Sequence, residues 1–283
     1  MGKKSAKNRS ILIYCSNTDN SKQVEKDLRK KLELAGFNVE TDFADKKDDN
    51  LTLTDDVELI ICIGGDGTFL RAVHYFGFPN VPFIGVNTGH LGFFQEIMPD
   101  QLDLLIDNYI KEKYTLQKMQ TVKAIVNHDD VVEEFTGLNE FIVKGEDNYS
   151  VHLNISIGGG FIEKFSGDGI LISTPAGSTA YNYSLGGSLV DPRIKLIQVT
   201  PIAPMNTTAY RSLTSPLLLP PDLALGIVPD EGGSKGRMAI AFDGFGRTFD
   251  KLDSIEVMLS EVTVNLMRFE SYDFWAKVKS KFI

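Results

Sequence analysis

The stretch that most restricts this chain runs from Val57 to Thr68. VELIICI is a nearly continuous apolar run that passes without a spacer into Gly64-Gly65-Asp66-Gly67-Thr68 and then into a helical pattern. An apolar run without alternation predicts a strand buried on both faces, the setting of a parallel sheet covered by helices. The flanking sequence predicts the same layering. Ile11 to Cys15 predicts a first strand. Ser21 to Ala35 predicts a helix with Val24, Leu28, Leu32 and Ala35 on one face, Gly36 as its stop, and Asn20 with Gln23 as a capping pair. Asn38 to Ala44 and Val81 to Val86 predict further strands. Thr68 to Phe76 and Pro99 to Tyr109 predict further helices, the second with Leu102, Leu105, Ile106 and Tyr109 as its apolar stripe.

After about Tyr114 the pattern changes to short β-type runs, among them TVKAIVN, EFIVKG, VHLNISIGG, ILIST, LIQVTPI, MAIAF and SIEVMLSEVTVNLM, with one helix inserted after Gly177. The expected division is an α/β domain over 1–118 and a β-rich domain over 119–267. Ser271 to Phe282 carries Trp275, Val278 and Phe282 at helical spacing, and 268–283 is expected to return to the first domain. Pro229 to Arg237 reads as an exposed loop.

Composition excludes several classes. With 283 residues the chain can bury a core in each of two domains without disulfides or a structural metal. Lys and Arg number 29 and Asp and Glu 38, a formal net charge of −9, which argues against nucleic acid or an anionic membrane as partner. Any phosphate must be held by local dipoles and a few placed cations. Cys15 and Cys62 sit in apolar runs and read as small buried residues. The scattered His74, His90, His128 and His152 lack metal-ligand spacing. The basic stretch KKSAKNR is followed by an apolar run too short for a signal peptide, and no window approaches a membrane span, so the expected location is the cytoplasm.

Four motifs carry chemistry. In Gly64, Gly65, Asp66, Gly67 and Thr68, the glycines let backbone N–H groups approach an anion, and the following helix adds the positive end of its dipole. The chain has neither a Walker A loop nor a G-x-G-x-x-G fingerprint. A carboxylate beside phosphates is repelled by them unless it has a specific role. Asp66 either holds Mg²⁺ on a nucleoside triphosphate, takes a proton from an attacking hydroxyl, or caps the helix. Asn139-Glu140 is an amide and an acid at a strand start, suited to a purine edge and ribose hydroxyls, or a polar pair at a turn. Gly167 to Gly187 runs a strand into a Pro-Gly turn with Ser178 and Thr179 at a helix start; their hydroxyls are ligand contacts or caps. Asp243-Gly244 follows the strand MAIAF, and its acid either reaches a ligand or starts a turn.

Taken together and in order, GGDGT, NE, GDG, STPAGSTAYN, SLGG and the late aspartate resemble the NAD kinase family over nearly the whole chain. GGDGT alone is shared with lipid kinases and phosphofructokinases; STPAGSTAYN with NE is far more specific. The resemblance implies a Rossmann-like α/β domain followed by a β-sandwich-like domain, and ATP-dependent phosphorylation of the 2′-hydroxyl of the adenosine ribose of NAD to give NADP. It implies Asp66 as proton acceptor with Gly67 beside the substrate, Asn139 and Glu140 on the adenosine part, and Asp168 on the nicotinamide half. Thr179, Ala180, Tyr181, Asn182, Tyr183 and Ser184 line the dinucleotide site, Ala176 faces the adenine, Ala203 is a further lining position, and Asp243 lies near the nicotinamide ribose. Ser166 stands where some relatives carry a basic residue, Ala176 where some carry Ser, and Gly244 where some carry His. Mg²⁺ would come with ATP, and the chain would form a homodimer or homotetramer. A lipid kinase would need a membrane-binding surface, which the sequence lacks, and a non-catalytic NAD sensor would be expected to lack Asp66.

Overall fold

The computed structural model describes residues 9–44, 53–147, 149–208, 211–230 and 237–283. Most of the basic N-terminal stretch and the middle of the expected 229–237 loop lie outside the described residues. The chain divides into two compact units, 1–118 with 263–283, and 119–262.

The first unit opens with β1 (Ser10–Cys15), α1 (Asp19–Leu34), β2 (Asn38–Phe43), β3 (Val57–Gly64), α2 (Asp66–Tyr75), β4 (Phe83–Asn87), β5 (Gln95–Ile97) and α3 (Leu102–Ile110). All its strand pairings are parallel: β2 on β1, β1 on β3, β3 on β4, and β4 on β5. Both faces of β3 are buried, as its apolar run requires. Ile11, Ile13, Leu59, Ile61, Ile63, Ile84 and Val86 share one core with Val24, Leu28 and Leu32 of α1 and Leu102, Leu105 and Tyr109 of α3. On the opposite face Phe69 of α2 packs its ring on Phe83, with centroids 5.5 Å apart. The strand order turns at β1 and β3, since α1 leads outward to β2 and α2 leads the other way to β4. Ligands of such sheets bind beyond the carboxyl ends of the strands at that switch point, and Gly64 to Thr68 sits there.

Two local expectations need correction. Helix α1 begins at Asp19, and its N-cap is Thr18, whose side chain accepts from the Ser21 N–H. Asn20 instead donates through Nδ2 to the Thr88 carbonyl, 3.0 Å away. A three-residue 3₁₀ turn, Pro99–Gln101, precedes α3, so the helix proper starts at Leu102.

The second unit is two antiparallel layers around one core. Its elements are β6 (Thr115–His128), β7 (Val131–Gly137), β8 (Glu140–Gly145), β9 (Val151–Ile157), β10 (Gly160–Gly167), β11 (Gly169–Ser173), α4 (Tyr181–Ser184), β12 (Ile197–Ile202), β13 (Leu217–Leu219), β14 (Leu225–Pro229), β15 (Met238–Phe242), β16 (Phe245–Phe249) and β17 (Ser254–Arg268). The chain changes units within β6 and within β17. One layer runs β13-β12-β11-β8-β15-β16. In the other, β9 lies between β10 and β14, and β14 pairs with β17. Phe141, Val143, Ile170, Ile172 and Ile240 of the first layer share a core with Leu153, Ile155, Phe165, Ile227 and Val257 of the second, which is the inward alternation of a sandwich. The helix expected after Gly177 is a 3₁₀ turn, Ala176–Thr179, followed by the single turn α4.

In the first unit, β17 continues beside β4 in parallel, with Leu266 opposite Phe83. Then α5 (Phe274–Phe282) follows, its N-cap Asp273 accepting from the N–H groups of Trp275 and Ala276. Phe274 and Val278 are the buried residues of α5, whereas Trp275 is 49% exposed. Of the expected face Val278 is buried and Phe282 half-buried, and Phe274 takes the inward place expected of Trp275. Among the described residues no helix is long and apolar enough to cross a membrane.

Candidate active site

The glycine turn shows two kinds of glycine. A Cβ at Gly64 would lie 2.4 Å from Thr68 Oγ1, so Gly64 is required by the turn's own packing. A Cβ at Gly65 or Gly67 would meet nothing within 4 Å. That open space adjoins the first turn of α2, whose N–H groups have no intrahelical acceptor, and it is where an anion fits.

Asp66 is the first residue of α2, and the cap is Gly65, which makes no side-chain bond. The carboxylate does not cap its own helix. Instead it accepts from the backbone N–H groups of Phe93 and Phe94, each at 3.1 Å. Lys281 Nζ stands 3.8 Å from Oδ2, and the Asp66 side chain is 28% exposed. A carboxylate has about four lone-pair positions, so two N–H bonds fix its orientation and leave it able to accept a further proton.

The loop from Thr88 to Phe94, the counterpart of Asp66, is not evident from the sequence motifs. The available signal was Gly89 and Gly92 directly after an apolar strand that pairs with the GGDGT strand. A Cβ at Gly92 would lie 1.9 Å from Gln95 Oε1 and 2.4 Å from Asp66 Oδ1, so glycine is what lets this loop close over the acid. Beneath it, Arg268 and Glu96 form a buried pair at 3.1 Å, with side chains 4% and 3% exposed. Arg268 also donates to the Phe93 carbonyl at 3.1 Å. Burial draws the Arg268 guanidinium below its ordinary value, opposed by Tyr272 and Glu96.

In the second unit the NE pair and the STPAGST turn are brought together. Strands β8 and β11 pair so that Ser173 lies opposite Glu140. Thr174 donates its N–H to the Asn139 carbonyl at 2.9 Å and its hydroxyl to the Leu138 carbonyl at 2.6 Å. A Cβ at Gly177 would lie 2.1 Å from the Asn139 carbonyl oxygen, so the turn rests directly on the pair's backbone.

Asp243 joins this cluster. Asp243 and Gly244 have φ of 48° and 87°, the positive angles of a tight hairpin turn between β15 and β16. The turn reading is realised, and the acid bonds neighbouring backbone. The buried carboxylate accepts from the N–H groups of Leu138 at 2.5 Å, Asn139 at 2.7 Å and Glu140 at 3.3 Å. Its observed partners are thus the backbone of the NE pair, which it holds in place.

Asn139 Oδ1 and Glu140 Oε2 are buried and find no hydrogen-bond partner among the described residues. Such orphans cost free energy unless a ligand satisfies them. The Glu140 carboxyl is pushed up to about 8, first by burial and second by the negative charge of Asp243. Near neutral pH it is therefore largely protonated, and can donate as well as accept.

That shift has a measurable consequence for the unliganded protein. The folded value lies above the ordinary 4.5, so the neutral acid is the form folding favours. Its contribution is intact below about 4.5 and is lost as pH rises through about 8. Glu140→Gln should therefore gain stability relative to the parent as pH rises from about 4.5 to about 8, by up to about 1.4 kcal/mol per pH unit, and level off above that. Urea midpoints at several pH values test this, and parallel curves would remove burial of Glu140 as a stability determinant.

The remaining residues have varied surroundings. Ser178 and Thr179 are not helix caps: Ser178 Oγ donates to the Pro175 carbonyl at 2.7 Å and accepts from the Val190 N–H at 3.0 Å, while Thr179 Oγ1 bonds the Ala176 carbonyl at 3.3 Å. Asn182 is buried, its Oδ1 taking the Thr200 hydroxyl at 2.6 Å. Tyr181, Tyr183 and Ser184 are exposed, and Ala176 and Ala180 are half-buried. Ser166 is buried, with its N–H on Ser212 Oγ at 2.9 Å. Asp168 is exposed, and its N–H bonds the Ile202 carbonyl at 2.9 Å. Ala203 is exposed with φ of 44°. Ser166, Asp168 and Ala203 are neighbours, since a Cβ at Gly167 would lie 2.9 Å from the Ala203 carbonyl.

A glycine turn bearing a fixed, partly exposed acid at the switch point of a parallel sheet is the equipment of a phosphate-handling enzyme. Residues 2–114 match the ATP-NAD kinase N-terminal domain, and residues 138–269 match the ATP-NAD kinase C-terminal domain. The chain is 38% identical to the NAD kinase of Finegoldia magna over 281 residues, 98% of this chain and 99% of that protein. It is 37% identical to the NAD kinase of Staphylococcus carnosus over 81% of this chain and 86% of that protein. Two solved structures share the fold. Yeast NADH kinase complexed with NADH aligns with a TM-score of 0.81 at 20% identity, covering 97% of this chain and 87% of that one. An NAD kinase from Archaeoglobus fulgidus in complex with ATP aligns with a TM-score of 0.73 at 22% identity, covering 96% and 99%. The chain belongs to the ATP-NAD kinase family.

Proposed function

We propose that Asp66 accepts the proton of the 2′-hydroxyl of the adenosine ribose of NAD as that oxygen attacks the γ-phosphorus of ATP. The new bond is between the ribose oxygen and phosphorus. The bond that breaks joins the γ-phosphorus to the β,γ-bridging oxygen, so ADP and NADP are the products. A sugar hydroxyl is a weak nucleophile near neutral pH, and a nearby carboxylate removes its proton as the bond forms. Most of the remaining acceleration comes from positioning and from neutralising phosphoryl charge. In this reading the open space at Gly65 and Gly67 receives phosphate oxygens. The orphaned Asn139 Oδ1 and Glu140 Oε2 receive the adenosine part of NAD, and Asp243 positions both. Thr179 to Ser184, Ala176, Ser166, Asp168 and Ala203 complete the dinucleotide-binding surface.

Mg²⁺ accompanies the triphosphate and supplies positive charge to its oxygens. Among the described residues no three His, Cys, Asp or Glu side chains gather where they could hold a metal ion; in this reading the ion would be held by the triphosphate oxygens and water. A homo-oligomer and a cytoplasmic location belong to the same reading.

The observation that carries the proposal is the Asp66 carboxylate, oriented by two backbone N–H groups yet still partly exposed at the switch point. Incubating the purified chain with ATP, Mg²⁺ and NAD should yield NADP. Labelling of a lipid without NADP formation would point to the lipid-kinase alternative, and no product at all to a binding protein.

A further inference from the structure

Helix α5 reaches the acid from a distant part of the chain. Lys281 Nζ lies 3.8 Å from Asp66 Oδ2, and 4.9 Å from the centre of the Phe93 ring. Phe93 is the residue whose N–H binds the same Oδ2. Its ring is flanked by Phe274 and Phe282 of α5, at centroid distances of 5.8 Å and 5.9 Å. Lys277, one turn before Lys281, donates to the Gln95 carbonyl. The loop that orients Asp66 is thus covered by α5, and Lys281 is the cation of α5 that reaches the carboxylate itself. The other charged groups packed here are Arg268 and Glu96, which bond each other, and Lys277, which is spent on the loop backbone.

We propose that Lys281 is a positioning residue for phosphoryl transfer, holding the Asp66 carboxylate in its orientation and offsetting its negative charge as the triphosphate approaches. The inference rests on Asp66 being the proton acceptor. An acid beside a polyanion is repelled by it, and a cation near both relieves that repulsion. Lys281 is suited to this role because its side chain is 32% exposed. Its ammonium lies over the Phe93 ring beside the carboxylate, a compact positive charge placed at the acid and not buried with it.

The test measures NADP formation by the full chain and its Lys281→Gln, Lys281→Met, Lys281→Arg and Asp66→Asn variants, with Mg²⁺, ATP and NAD varied in turn. Lys281→Gln and Lys281→Met should each lower kcat roughly fivefold to twentyfold, while the KM for NAD stays within about twofold. Lys281→Met leaves an apolar side chain and Lys281→Gln a polar neutral one, so equal losses in the two variants trace the effect to the missing ammonium. Lys281→Arg should restore most of kcat, because it returns the cation. Wild-type kcat in either neutral variant would overturn the inference, as would a folded Lys281→Arg variant no faster than the neutral ones. Full activity in Asp66→Asn would instead overturn the assignment of the acid, which separates the two failures.

Discussion

With Asp66 replaced by asparagine, the chain is expected to form NADP roughly a thousandfold more slowly while binding NAD within about tenfold of the parent. Asparagine keeps the size of the side chain and one carbonyl oxygen, so it can retain one of the two N–H bonds from Phe93 and Phe94. The other donor is left facing an amide NH₂, at a cost of about 1–3 kcal/mol. The substitution therefore tests two things at once, and they read out separately. Loss of the proton acceptor lowers kcat; loss of one loop bond lowers the urea midpoint. Measuring both on one preparation distinguishes an inactive folded enzyme from an unfolded one. Near-normal kcat in a folded variant would eliminate Asp66 as the base.

The second large effect is expected at Asp243. Its carboxylate takes the N–H groups of Leu138, Asn139 and Glu140, and charge-assisted bonds of this kind are about twice as strong as neutral ones. Asp243→Asn preserves shape and tolerates the positive φ of 48°, so it isolates the charge. Stability should fall by about 2–4 kcal/mol, and the KM for NAD should rise at least roughly tenfold as the pair loses its fixed position. Glu140 should also become more acidic, because the charge of Asp243 is one cause of its raised value. Binding of NAD followed by calorimetry, alongside urea unfolding, tests this. Parent-like NAD affinity would mean that Asp243 does not position the pair.

The layered first unit was legible because its signals are local. The unbroken apolar run of β3 reports burial on both faces, and the 3.6-residue periodicity of α1 reports one. The glycine turn was legible for the same reason, since strand, turn and helix are consecutive in sequence. What escaped were partnerships made across sequence distance. The loop that clamps Asp66 lies 27 and 28 residues from it, and Arg268 lies 175 residues from the Phe93 carbonyl it binds. Neither has a periodicity to announce it. Local competition hid other details: Thr18 and Asn20 both suit an N-cap, and only the position of Thr88 decides which is used. Ser178 looks like a cap because caps are hydroxyls at helix starts. Its real partners, Pro175 and Val190, required the 3₁₀ turn to be known first. At Asp243 the sequence offered a turn or a ligand contact, and the structure shows a turn whose acid serves the neighbouring backbone.

The first unit is discontinuous, and this has a consequence for biosynthesis. Strand β4 receives its neighbour at Leu266 only after the whole of the second unit has left the ribosome. Until then the nascent α/β layer lacks the cover of Arg268 and α5 over residues 93–95. The inserted sandwich, contiguous in sequence, can complete its own core earlier. The loop that holds Asp66 therefore gains its cover from Arg268 and α5 only after the second unit has been made.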